Sequence, residues 1–395
     1  MLNKIIYNQY FNSLISKFTV AFLGILNSIL ISRSLGPALK GEYAYILNIA
    51  NLAVVILNLG IYQSYPYYKR QAKQPNILAQ YVNNIFFQFI CYLFIAIILS
   101  FLIMQKVWIV VFTLIPIMVL SRQLSFIALV ENISLRNIIN IIDQFFYTCI
   151  LLTVYICLPR NINVVIAALY IKEITAVLLI MILFKFRINL LKVDYKLMGQ
   201  TIVFGIYPML TMLLTTLNYQ VDVLILKSYV IFEQIGYYTI GVGLANQAWI
   251  IPDAFKDVLF AKTAKDDAKR DVRFSLKVNV LISFAIFCII LLFGEVIIRI
   301  LYGAEFVHAY PVTIIIFAGT ISMVIFKLLV PIYNAKGKQR ISFIILLISA
   351  LTNILLNIIL IPQYGINGAA FASVISYTIC GIAFLVGYIK MQKEG

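Results

Sequence analysis

The sequence predicts an all-α integral membrane protein, with about twelve transmembrane helices arranged as two parallel six-helix repeats around a central cleft. Three observations predict it. The 395 residues are 63% apolar and only 12% charged, too few charges to wet the surface of a soluble chain of this length. Twelve windows of 19 or more residues carry few charges, each long enough to cross ~30 Å of hydrocarbon as an α-helix. The third observation is an internal repeat at an offset near 200 residues. The apolar runs are continuous rather than alternating, which excludes a β-barrel, and the composition excludes disorder and a disulfide-stapled secreted fold. Spans of ~20 residues leave only short loops, so no soluble catalytic or binding domain is expected between them.

Taken in order, span 1 (13–32) runs into Ser-Arg-Ser-Leu-Gly-Pro rather than a small-residue cleavage site, and is read as a retained anchor. On a helical wheel it gathers Ser13, Lys17, Gly24 and Ser28 into one stripe. Span 2 (42–62) has Asn48, Asn51, Asn58 and Tyr62 on one side. Span 3 (83–103) is apolar, and span 4 (107–130) contains Arg122. Span 5 (138–158) holds Asp143 about two turns inside, and span 6 (163–184) holds Lys172 and Glu173 near its middle. Span 7 (201–226) places Thr211, Thr215, Asn218 and Asp222 within ~60° of one another. Span 8 (234–260) closes with Asp253, Lys256 and Asp257, read as a solvated helix end. Span 9 (276–298) precedes span 10 (309–334), where Thr313, Thr320, Lys327 and Asn334 recur at sevens; spans 11 (341–360) and 12 (365–389) complete the set.

A net charge of +16 would prompt a search for nucleic acid in a soluble chain. Here its distribution answers differently. The termini and even-numbered loops, counted with Lys17 and Lys277 near the adjoining span ends, carry 21 Lys/Arg against 6 in the odd-numbered loops, which places both termini in the cytoplasm of a multi-pass inner-membrane protein. The basic stretch 262–277 is then an internal loop whose charge is topological, and no nucleic-acid partner is expected. Cys91, Cys149, Cys157, Cys288 and Cys380 fall in spans with no CxxC pair, so neither disulfide framework nor zinc site is indicated. His308, the single histidine, is read as interfacial. With no Cys/His cluster, Gly-rich phosphate loop or GxSxG elbow, no catalytic residue, metal or cofactor is expected.

The repeat divides the chain into 1–194 and 195–395. An offset of 194 lays ILISRS (29–34) on VLILKS (223–228), and one residue later GEYAYI (41–46) meets GYYTIG (236–241). An offset of 205 pairs Met118 with Met323, Val119 with Val324, Ile127 with Ile332 and Arg122 with Lys327. Each half has an even number of crossings, so the repeats are parallel, the architecture of an alternating-access transporter. Small and polar stripes also pack helices tightly in bilayers, but charges inside spans favour a wet cavity because they are costly in hydrocarbon. Arg122 and Lys327, at matched depth, either converge on one anionic group or snorkel to the interface.

ISRSLGPALKGEYAYI, LNLGIYQSY, YQVDVLIL through IGYYTIG, YNAKGKQR and NILLNIILIPQYGINGAAFASVISY together resemble the Wzx-type polysaccharide flippases of the multidrug/oligosaccharidyl-lipid/polysaccharide (MOP) exporter superfamily. The LGP…G and IPxYGxxGAAxA patterns are the most specific parts; Ala261 stands where the family often has proline. The resemblance implies two six-helix bundles around a V-shaped cleft, a MATE/MOP-like fold. It further implies movement of undecaprenyl-diphosphate-linked oligosaccharide, a repeat unit of O-antigen, capsule or exopolysaccharide, to the outer leaflet. Its partners would be membrane lipid, the polysaccharide polymerase and the chain-length machinery. In that setting Arg122, Lys327, Lys172 and Lys17 are candidates to neutralise the diphosphate, and Asn48, Asn51, Asn58 and Asn218 to bind sugar hydroxyls. The resemblance suggests coupling to a proton or sodium gradient, with Asp222, Asp143 or Glu173 titrating. Two other readings remain open, a multidrug cation antiporter on the same fold and a membrane-embedded polysaccharide polymerase or ligase.

Overall fold

The computed structural model describes residues 2–71, 76–263 and 269–394 and is almost wholly helical. Its elements in chain order are α1 (Leu2–Leu57), α2 (Tyr65–Gln71), α3 (Ile77–Leu102), α4 (Lys106–Glu131), α5 (Ile133–Cys157), α6 (Ile162–Leu183), α7 (Tyr195–Leu226), α8 (Phe232–Ala248), α9 (Ile250–Thr263), α10 (Lys269–Tyr302), α11 (Tyr310–Ala335) and α12 (Gln339–Glu394). Short 3-10 turns lie at Ile61–Ser64, Leu190–Lys192 and Ala304–Ala309. Among the described residues, nine helices are long and apolar enough to cross a membrane.

Nine helices accommodate eleven of the twelve expected spans because two of them are double. α1 bends at Gly36 (φ 70°, ψ 174°) and α12 at Gly365 (φ 55°, ψ −132°), so the loops expected at 33–41 and 361–364 are single-residue corners. Gly36 adopts a backbone that a Cβ disfavours, and Pro37, with its fixed φ and missing N–H, starts the next segment. The opposite correction applies to the expected span 234–260. It breaks at Trp249 into α8 and α9, neither of which reaches 18 residues. Pro252 has no N–H to donate to the Ala248 carbonyl, and the Trp249 N–H turns instead to Asn246 and Gln247.

Packing gathers the chain into two compact units: residues 1–34 with 46–213, and residues 35–45 with 214–395. In the first, α4 is the most enclosed of the candidate spans. Its Leu120, Leu124, Ile127 and Ala128 pack with Tyr65, Tyr81, Ile85, Ile139 and Ile180. In the second, α11 has that role, with Met323, Val324, Leu328, Leu329 and Ile332 packed around Tyr333, Tyr377 and Phe384. These are the two helices paired by the offset of 205, and Met118, Val119 and Ile127 are buried as their partners are.

The α1 segment that follows Gly36 belongs to the second unit as far as Tyr45, and glycine makes this possible. A Cβ on Gly41 would lie 1.7 Å from the Phe232 carbonyl oxygen, and one on Gly236 would lie 2.1 Å from that of Pro37. The contact is reciprocal: 41 and 236, and likewise 37 and 232, differ by the same 195 residues. A comparable backbone contact joins Gly60 and Gly205 in the first unit, where either added Cβ would lie within 2.3 Å of the other residue's backbone. The side chains of Asp257, Ala261 and Asn334, and residues 264–268 of the basic stretch, lie outside the described residues.

Candidate functional site

The first unit holds a half-open cavity of about 390 Å³, lined by polar and apolar side chains, between α1, α4, α5 and α6. Each helix contributes by its own register. α5 offers Asn140, Asp143 and Gln144, spaced to share one face. α4 offers Ser121, Arg122 and Ser125, α6 offers Lys172, Glu173 and Ala176, and α1 reaches in with Val20, Leu47 and Asn51. Polar contacts tie α1 to α5 beside the cavity: Asn27 Nδ2 donates to Gln144 Oε1 at 3.1 Å, and Ser16 Oγ to the Asn137 carbonyl at 3.3 Å.

The cavity charges are unequally matched. Lys172 Nζ lies 2.9 Å from Glu173 Oε1 and 5.8 Å from the centre of the Tyr147 ring. Arg122 Nη2 donates instead to a neutral acceptor, Asn51 Oδ1, at 2.6 Å, and no carboxylate lies within 4 Å of it among the described residues. Asp143 is only 7% exposed, and its Oδ1 has no hydrogen-bond donor. Nearby, Arg136 Nε donates to Ser125 Oγ at 3.3 Å. The cavity can therefore hold an anion against Arg122 and present hydrogen-bond groups to a polar ligand around it.

The second unit has a different polar centre, a buried hydrogen-bonded network. Asp222, 1% exposed, accepts from Tyr238 Oη (2.6 Å) and Ser373 Oγ (2.7 Å) at Oδ2, and from Asn357 Nδ2 (2.6 Å) at Oδ1. One turn earlier on α7, Asn218 Nδ2 donates to Ser349 Oγ at 3.1 Å while its Oδ1 accepts from Ser376 Oγ at 3.2 Å. Asn357 Nδ2 also reaches Asn353 Oδ1 at 3.0 Å, and Asn357 Oδ1 is buried with no donor. α7, α8 and both segments of α12 thus meet at one buried carboxylate.

Of the residues expected from sequence, Arg122, Lys172, Asn51, Asp143 and Glu173 come together at the cavity. Asn218 and Asp222 come together in the buried network. Lys327 lies in the second unit, 2.9 Å from Asp253 Oδ2 and 5.2 Å from the Trp249 ring centre, while Lys256 holds Asp253 Oδ1 at 3.2 Å. Asp253, in the first turn of α9 and with its side chain 39% exposed, is thus also a partner of α11. Asn58 is fully buried and closes a helix: its Nδ2 donates to the Val54 and Val55 carbonyls, and its Oδ1 accepts from Gly60 N at 2.7 Å. Lys17 is exposed and Asn48 partly buried, and neither lines the cavity. His308 sits on the short turn before α11, its ring 5.6 Å from that of Tyr237. Asn140, Gln144, Asn353 and Asn357 escaped the sequence reading; the spacing of Asn353 and Asn357, one helical turn in an apolar run, was the available signal.

Comparison with known proteins places this geometry. Residues 250–394 match the family model of the lipid II flippase MurJ. An uncharacterized membrane protein of Methanocaldococcus jannaschii, MJ1068, is 35% identical over 102 residues, 26% of this chain and 20% of the relative's length. The chain thus spans about a fifth of that relative. Among solved structures, an inward-facing multidrug resistance MATE family transporter of the MOP superfamily is similar at TM-score 0.70 and 13% identity, over 96% of this chain and 98% of that one. The MATE multidrug transporter DinF-BH, solved as a complex, is similar at TM-score 0.67 and 15% identity, over 98% and 95%. A MOP superfamily transporter from Pyrococcus furiosus, for which reversed binding-pocket polarity suggested a different function, gives TM-score 0.58 at 14% identity over 98% and 95%. The chain has the all-helical fold of the MOP superfamily transporters.

Proposed function

We propose that the protein is a flippase moving a lipid-linked, diphosphate-bearing oligosaccharide from the cytoplasmic to the outer leaflet by alternating access. The observation that carries this reading is Arg122, a cation on a polar cavity whose close partner is an amide rather than a carboxylate. An intramembrane guanidinium is costly unless water or an anion compensates it. A phosphate matches its planar donor fork, the undecaprenyl tail can remain in lipid, and Asn140, Gln144 and the Asp143 carboxylate are disposed to accept or donate to sugar hydroxyls. A head group so polar crosses only where such a chamber replaces its water. The flippase family match over 250–394 supports the same class of cargo, and the flippase and transporter matches stand against a polymerase or ligase.

In this reading, the repeats 1–194 and 195–395 are the moving halves, both termini are cytoplasmic, and the polymerase and chain-length proteins receive the product. Asp222 is the proposed coupling group, for a proton or sodium ion, because four segments converge on its buried carboxylate. A multidrug antiporter is the second reading, favoured by one observation: the Asp143 Oδ1 without a donor could face an organic cation. Reconstitution into vesicles with a labelled lipid-linked sugar, scoring leaflet exposure with and without an ion gradient, tests both. Sugar-lipid flipping that organic cations do not inhibit is expected; cation export without flipping would overturn the proposal.

A further inference from the structure

We propose that the connection between α6 and α7, residues 184–194, is a built binding site for anionic phospholipid headgroups. Its backbone is held in a fixed path off the α6 axis, with one 3-10 turn at Leu190–Lys192. At the end of α6, Lys185 takes a left-handed conformation (φ 55°) while Phe186 N donates back to the Met181 carbonyl at 3.1 Å, which turns the chain off the helix axis. Such a backbone disfavours any residue with a Cβ, and a lysine there must be held by its surroundings.

The holding comes from two consecutive asparagines on α3, Asn83 (3% exposed) and Asn84 (1%). Asn83 Oδ1 accepts from Asn189 N at 2.8 Å, and its Nδ2 donates to the Lys192 carbonyl at 3.4 Å. Asn84 Oδ1 accepts from Asp194 N at 3.1 Å, and its Nδ2 donates to the Asp194 carbonyl at 3.2 Å. Two buried amides thus grip the connection as a neighbouring strand would, and Phe184 and Phe186 pack inward beneath it.

The outward face is unusual for a loop so firmly held. Leu191 is 98% exposed, with Ile188 and Leu190 at 44% and 43%, and exposed Lys185, Arg187 and Lys192 flank them. The acid nearby, Asp194, spends Oδ1 capping α7 through Leu197 N at 2.8 Å. Apolar side chains beside cations at the boundary between two membrane helices fit one environment, the glycerol and phosphate level of a leaflet. There the leucines enter the acyl region and the cations meet phosphates. Solvent alone would give no return for exposing Leu191.

The test uses full-length protein reconstituted with spin-labelled phosphatidylglycerol or phosphatidylcholine, reading the association preference between the two lipids by electron paramagnetic resonance. The wild type should prefer phosphatidylglycerol, and the variant K185Q/R187Q/K192Q should lose roughly tenfold or more of that preference, on the order of several-fold for each charge removed. The control K336Q/K338Q/R340Q removes the same charge from the exposed connection between α11 and α12 and the first turn of α12, and should keep the preference. Leu191→Ser should weaken it to a smaller degree. Equal losses in linker and control variants, or no preference in the wild type, would overturn the site in favour of general basicity. Asn83→Ala/Asn84→Ala keeps every charge but frees the backbone; if it folds and retains full preference, the clamp is irrelevant and the proposal of a built site fails.

Discussion

Arg122 and Lys327 occupy equivalent positions in the two most enclosed helices, α4 and α11, yet they meet different partners. Lys327 faces the Asp253 carboxylate and lies over Trp249, so its charge is answered within the protein. Arg122 directly faces the Asn51 amide on a cavity wall that Asp143 and Glu173 also line, so its close partner is neutral. The two helices share the position of a cation but not the kind of group it directly meets. The same contrast separates the polar interiors of the two units: a cavity in the first, a packed network around Asp222 in the second. A buried charge is therefore not a binding residue by position alone. Its role depends on whether its partners exhaust it.

The largest effect should come from the packed side of this comparison. Asp222→Ala leaves the Tyr238, Ser373 and Asn357 donors facing one another, and should cost about 3 kcal/mol of stability, read as a fall in melting temperature in detergent. A stable Asp222→Ala protein would mean that the network is not a closed structural unit.

On the cavity side, Arg122→Gln should reduce flipping tenfold or more, on the scale of a lost charge-assisted contact, with unchanged melting temperature. Undiminished flipping would make Arg122 an anchor. A sharper test converts one cation's situation into the other's. Asn51→Asp gives Arg122 a carboxylate, as Lys327 has, and should depress flipping nearly as far as Arg122→Gln while retaining the guanidinium. If flipping persists in Asn51→Asp, the availability of that charge is not what matters.

The smallest effect is expected at Lys327→Gln, since Asp253 keeps Lys256 and is itself 39% exposed. Flipping should change by no more than a few-fold and stability by about 1 kcal/mol or less. Losses as large as those of Arg122→Gln would mean that the two cations act as one site. Additivity in the double variant would then decide whether they share a ligand.

The helical character of the chain and most of its helix positions were legible from residues alone, because an apolar run in lipid must satisfy its own backbone and only a helix does so locally. The corners were half legible. Gly36-Pro37 and Gly365 were visible as motifs, but an apolar count cannot tell a single-residue bend at positive φ from a loop. The cavity residues were found as candidates because charge inside a span is rare. Asn140 and Gln144 were missed because amides inside spans serve packing as often as ligands.

What the sequence by itself determined is an all-helical membrane chain with cations inside its spans, since hydropathy and residue order are properties of one strand of residues. Which carboxylate answers which cation was decided only by tertiary structure. So was the burial of Asn58 as a helix end, the convergence of Asn357 and Ser373 on Asp222, and the grip of Asn83 and Asn84 on a distant connection. The physical reason is common to all four. A polar group in a low-dielectric interior takes its role from the nearest group that can satisfy it, and in a helical bundle much of that company comes from another helix, far away in the chain.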